Sequence, residues 1–172
     1  FMSRIMQEKG IEEFLEAAKY FTNKYNDVEF HICGFCEEEY EKQLENLEEE
    51  GIINYHGMLR DVREILAKVH WVILPCYHEG MSNVLLESAS CGRPIIASDI
   101  NGCKEAINDG INGFLIKPKS SQDLIDKIKQ FLNLSYEEKK QMGLAGRKKV
   151  EKEFDRQIVV DAYMEEIEKA IK

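Results

Sequence analysis

Short apolar runs alternate with helical patterns along the first two thirds of this chain, and that alternation leaves few folds open. Strand-like runs fall at residues 1–4, 28–33, 53–56, 71–74, 95–98 and 114–116. Between them, apolar residues recur at helical spacing over 11–25, 37–50, 62–69, 83–91 and 104–108. Several of the strand-like runs are continuously apolar, as a strand must be when both faces of its sheet are covered. Strand–helix alternation of this kind joins parallel strands by right-handed crossovers. The expected fold class is therefore α/β, a doubly wound parallel sheet of about six strands. After Pro118 the strands stop, and helices are expected over 123–132, 136–153 and 156–171, the second opened by a Ser135/Glu138 capping box. No linker interrupts the 172 residues, so the whole chain, 1–172, is read as one domain.

The charge pattern narrows the partners. Of the net charge of −9, most lies between Cys36 and Glu50, where eight glutamates stand against Lys42. Tyr40, Leu44 and Leu47 recur at helical spacing inside that run, which makes it the solvated face of an amphipathic helix. An acidic domain repels phosphate backbones and anionic lipid, so no nucleic-acid partner is expected. No run of 18 apolar residues exists to span a bilayer, and no basic stretch precedes an apolar one as in a signal peptide. Phe1 stands inside an apolar stretch, which reads as a cut within a longer chain. Five scattered cysteines fit a reducing, cytoplasmic compartment better than a disulfide framework.

Ligands of open α/β sheets bind beyond the carboxyl ends of the strands. That directs attention to the loops at 5–9, 34–36, 57–60, 75–82 and 99–103. The loop after the fourth strand-like run reads Pro75-Cys76-Tyr77-His78-Glu79-Gly80-Met81-Ser82-Asn83 and leads into a helix. Gly80 admits close approach of a ligand to the backbone. Ser82 or Asn83 can cap the helix, whose free N–H groups form an anion site. Glu79 precedes that site and Glu87 lies one turn beyond Asn83. Carboxylates repel a phosphate but accept hydrogen bonds from sugar hydroxyls. Two of them bracketing an anion site suggest a ligand with hydroxyls on either side of a phosphate.

These residues resemble a known family. Glu79 and Glu87 form the E-x7-E motif of retaining GT-B glycosyltransferases of the group 1 type. Ile73-Leu74-Pro75, Cys91 to Ser98 and Gly110 to Gly113 match that family's usual run of sequence, and Arg4 with Lys9-Gly10 resembles its Arg-x4-Lys-Gly phosphate element. The resemblance implies one half of a GT-B fold, the nucleotide-sugar-binding domain, with a helical carboxyl-terminal tail. It implies that Arg4 and Lys9 grip the donor diphosphate and support charge on the leaving group. Glu79 would accept from the transferred sugar and Glu87 from the ribose. Backbone amides at Gly80, Met81, Ser82 and Asn83 would hold phosphate and sugar, and Gly57 and Met58 would lie near the base. No metal and no cofactor is implied, because cationic side chains stand in for the metal. The acceptor site would lie in an amino-terminal domain, the second partner beside the donor, and through it the full enzyme could sit at a membrane surface. This chain alone would bind donor without transferring sugar. Met81-Ser82-Asn83 replaces the Phe-Gly version common in the family and looks like variants of capsule and lipopolysaccharide enzymes.

Other readings stay open. Glu79 and Glu87 could be plain surface carboxylates, and Arg4 and Lys9 ordinary surface charge. A GT-B nucleotide-sugar epimerase or a non-catalytic nucleotide-sugar-binding module would share the same motifs. Cys33-Gly34-Phe35-Cys36 has thioredoxin-like spacing, but the three glutamates that follow would raise a thiol pKa where redox chemistry needs it lowered. His31, His56 and His70 read as packing residues. The last helix carries Ile158, Val159, Ala162, Tyr163, Ile167 and Ile171 at three- and four-residue steps, a surface for packing against the missing domain or a second copy.

Overall fold

The computed structural model describes residues 1–36 and 38–171. Five named strands form two parallel sets. In the first, β1 (His31–Ile32) pairs with β2 (Asn54–Tyr55). The segment before it runs parallel to β1 through bridges Met2–Cys33 and Ile5–Cys36. In the second, β3 (Val72–Leu74), β4 (Ile95–Ser98) and β5 (Gly113–Ile116) pair in that order. Every residue of β3 and β4 is buried. Successive side chains of a strand point to opposite faces, so both faces of this sheet are covered, as the unbroken apolar runs required.

Among the described residues there are seven α-helices: α1 (Ile11–Thr22), α2 (Glu38–Glu49), α3 (Arg63–Lys68), α4 (Asn83–Ser90), α5 (Ser121–Leu132), α6 (Tyr136–Glu153) and α7 (Arg156–Ile171). The expected helix 37–50 begins on Glu37, which lies outside the described residues. Helix α1 packs on α5, and α4 on α6. Phe14 of α1 meets the rings of Phe1 and Phe30 at centroid distances of 5.4 and 5.5 Å, which ties the first parallel set into the core. Ser120 caps α5 through the N–H of Asp123, and the Ser135/Glu138 capping box opens α6. Helix α7 buries none of its residues.

Two expectations need correction. The run 1–4 makes only isolated bridges and the runs 28–33 and 53–56 shorten to two-residue strands, so the expected sheet of about six strands is five named strands in two parallel sets. Residues 104–108 do not form a helix. The Asn112 side chain accepts from Asn108 N–H and donates to the Ala106 carbonyl, while Glu105 accepts from Gly102 N–H. Local side-chain bonds of this kind compete with a helical ladder, and the segment folds as successive turns. No helix among the described residues is long and apolar enough to cross a membrane.

Candidate donor-binding site

Two stretches distant in sequence meet at the carboxyl ends of the strands. The first is a short 3-10 turn, Gln7–Lys9, closed by Gly10 in the left-handed region at φ 75°. The second is the loop between β3 and α4. A Cβ on Gly10 would stand 2.0 Å from the Pro75 carbonyl oxygen, so only glycine permits this approach. Beside it the Tyr77 N–H donates to the Glu8 carbonyl at 2.8 Å. The loop is fastened on its other flank by the turn after β4. There Ser82 N–H donates to the Gly102 carbonyl at 3.1 Å, and a Cβ on Gly102 would fall 2.4 Å from the Gly80 carbonyl oxygen.

This frame brings Lys9 and Glu79 together. The Lys9 ammonium donates to Glu79 Oε1 at 3.0 Å, with only 16% and 18% of the two side chains exposed. Partial burial weakens solvent screening of the pair, and each charge depends on the other. Sequence reasoning assigned Lys9 to phosphate and Glu79 to sugar without foreseeing that they touch.

Helix α4 starts directly after this pair. Ser82 holds the N-cap position with extended backbone, yet its side chain makes no capping bond. Its hydroxyl is buried and has no partner among the described residues. Of the two expected caps, Ser82 or Asn83, Ser82 holds the position without a side-chain bond; Ser82 and Leu85 N–H are taken by the Gly102 and Ser82 carbonyls, which leaves the Asn83 and Val84 N–H groups without an acceptor among the described residues. Gly80, Met81 and Asn83 are exposed around this opening.

The remaining predicted residues lie apart. Arg4 is exposed on the segment beside β1, and Glu87 is exposed on α4. Neither joins an ion pair among the described residues. Gly57, left-handed at φ 63°, accepts from Gly34 N–H at 2.8 Å, which joins the loops after β1 and β2. Met58, next to it, is 78% exposed. A cavity of about 830 Å³ lies elsewhere, at the amino ends of β1 and β3 between Phe1, Phe30, Trp71 and Val72. It is on the wrong edge of the sheet for the ligands of this architecture.

Loops of this order on a parallel sheet, with a cation and a carboxylate against an uncapped helix start, match one sequence family. The model of glycosyl transferases group 1 fits residues 1–149. The chain belongs to the group 1 glycosyltransferases. A curated relative, the N,N'-diacetylbacillosaminyl-diphospho-undecaprenol alpha-1,3-N-acetylgalactosaminyltransferase of Campylobacter jejuni, is 32% identical over 172 residues, covering 99% of this chain and 44% of the relative. The capsular polysaccharide biosynthesis glycosyltransferase CapM of Staphylococcus aureus is 25% identical over 170 residues, 92% of this chain and 42% of CapM. HepE of Anabaena, whose crystal structure holds UDP and glucose, superposes with a TM-score of 0.81 at 19% identity, over 97% of this chain and 47% of HepE. This glycosyltransferase chain spans less than half the length of these relatives, and its α/β architecture corresponds to one half of a GT-B fold.

Two features of the site escaped the sequence. One is the Lys9–Glu79 pair. The other is Tyr77, whose hydroxyl lies 2.8 and 3.0 Å from the two carboxylate oxygens of Glu13 in α1. Glu13 stands in the first turn of α1, where an acidic residue is ordinarily a solvated complement to the helix dipole.

Proposed function

We propose that this chain binds a nucleotide diphosphate sugar and is the donor half of an enzyme that transfers the sugar, with retention, to an acceptor in surface polysaccharide synthesis. The observation that carries the reading is Lys9 held against Glu79 beside the uncapped start of α4. A diphosphate laid across this opening takes charge-assisted hydrogen bonds from Lys9 and from the free Asn83 and Val84 amides. Glu79, displaced from Lys9, faces the sugar. Arg4 supplies a second cation, Glu87 meets the ribose, and Gly57 and Met58 lie towards the base. The cations carry the charge that a metal carries in other transferases, so donor binding should survive a chelator. Departure of the diphosphate is eased by groups already in place, the form of catalysis that depends on positioning and electrostatics. HepE, crystallised with UDP and glucose, supports the ligand class, and the name of CapM supports the polysaccharide role. Retention rests on the resemblance of the Glu79/Glu87 spacing to retaining members of the family. The acceptor site and the remaining chemistry belong to an amino-terminal domain of the full enzyme.

A thermal-shift panel of nucleotide sugars and nucleoside diphosphates on the chain tests this. At 100 times Kd a ligand adds about 2.7 kcal/mol, a shift of several degrees for a domain of this size. One nucleotide class should raise Tm, with or without chelator, while no sugar is transferred. Absence of any nucleotide-dependent shift, or sustained transfer by this chain alone, would overturn the reading.

A further inference from the structure

We infer that Tyr77 is a positioning residue of the donor site: its phenol, seated on the buried Glu13 carboxylate, sets the spacing between the Lys9 turn and the Glu79 loop. The inference rests on the donor-site reading above and adds a residue outside the E-x7-E and Arg-x4-Lys-Gly elements.

Three separate contacts converge on this one residue, two through its side chain and one through its backbone. Its hydroxyl sits between both oxygens of Glu13, at 2.8 and 3.0 Å. Its backbone N–H reaches the Glu8 carbonyl at 2.8 Å. The Lys119 ammonium lies 4.7 Å from its ring centroid. Lys119 holds the left-handed region at φ 58°, the one non-glycine residue among those described to do so. That conformation costs a non-glycine residue energy and persists where the surroundings require it.

Glu13 is only 8% exposed. A carboxylate so far out of water needs a donor, and among the described residues Tyr77 is the side chain that provides one. Its neighbour Glu12 is occupied separately, accepting from Tyr40 at 3.3 Å. Burial, and then the Glu13 carboxylate, push the Tyr77 phenol up from its usual pKa, so it keeps its proton and stays a donor.

The placement explains why this is more than core packing. Lys9 comes from the turn before α1, and Glu79 with the α4 amides comes from the β3–α4 loop. Tyr77 is attached to both, two residues before Glu79 and bonded to Glu8 and Glu13. A bound diphosphate must bridge Lys9 and α4, so a small slip between the two stretches misaligns the phosphate contacts while leaving the ribose contacts of Glu87 alone. Displacements on the order of 1 Å are enough to matter in such sites.

The test compares affinities in the intact chain. UDP, GDP, ADP, CDP and dTDP are titrated with their parent nucleosides, and the tightest pair carries the comparison. Tyr77→Phe should weaken the diphosphate about tenfold and leave the nucleoside within about twofold. Glu13→Gln keeps an acceptor oxygen for the phenol and should behave as wild type, whereas Glu13→Leu should reproduce Tyr77→Phe. Equal weakening of diphosphate and nucleoside, or a lower Tm with the ratio unchanged, would make Tyr77 a structural residue only. If Tyr77→Phe does not fold, identical diphosphate affinities for the two Glu13 variants would overturn the inference by themselves. A wild-type chain that binds none of the five diphosphates instead removes the donor-site reading, and this one with it.

Discussion

Lys9 and Glu79 pair across 3.0 Å, so replacing either one also changes the other. Glu79→Ala frees the Lys9 ammonium and, on the proposed reading, removes a negative charge from beside the phosphates. A bare nucleoside diphosphate should bind this variant as well as or better than wild type. A sugar-bearing donor would lose the carboxylate proposed to meet its hydroxyls, a charged hydrogen bond of about 1.5–3 kcal/mol, and should bind about tenfold or more weakly. Lys9→Ala does the reverse: it strands a carboxylate that is only 18% exposed and removes a phosphate contact. Diphosphate affinity should fall by about tenfold or more while nucleoside affinity holds. Glu87, exposed on α4 and unpaired, has no such coupling, and Glu87→Ala should weaken both nucleotide ligands alike. Isothermal titration of the three variants reads all of this. Glu79→Ala weakening the bare diphosphate as much as the donor would end the proposed division of labour.

Among the elements, α5 and α7 differ sharply in what they contribute. Helix α5 buries Leu124, Ile125, Ile128 and Phe131. Helix α7 leaves Ile158 48%, Tyr163 69% and Ile167 48% exposed. Leu124→Ala should therefore cost about 2–5 kcal/mol in urea unfolding, and Ile167→Ala within about 0.5 kcal/mol. A loss of several kcal/mol from Ile167→Ala would mean that α7 packs on the domain. Sequence made α5 and α6 legible, whose Ser caps announce their starts, and β4, whose expected span 95–98 matches the structure to the residue. The lengths of β1 and β2 were not legible, because strand length depends on pairing and not on apolar content alone. The turns at 104–108 escaped because Asn112 and Glu105 divert backbone groups that a helix would use. In the candidate site, loop order and motif spacing pointed to Lys9 and Glu79, which the fold brings together, while Glu87 stands apart on α4. The Lys9–Glu79 and Tyr77–Glu13 contacts span 70 and 64 residues, a distance at which no local pattern carries information.

At the scale of the whole molecule, both parallel sets deliver their loops to one edge, and backbone contact fastens those loops together. Tolerance along that edge is uneven. Gly10 and Gly102 lie where a Cβ would meet carbonyl oxygen within 2.0 and 2.4 Å, while a Cβ on Gly51 or Gly80 would have nothing within 4 Å. Deep mutational scanning scored on folding alone should show Gly10 and Gly102 intolerant of every replacement. Gly80, with neither a crowded Cβ nor a left-handed backbone, should accept many, and free substitution at Gly10 would contradict the fastening described. The same asymmetry divides the ground available to heritable change. On the proposed reading, divergence towards a new sugar or base runs through exposed positions such as Met58 and Met81, since the glycines that hold the rim in register admit no intermediate steps.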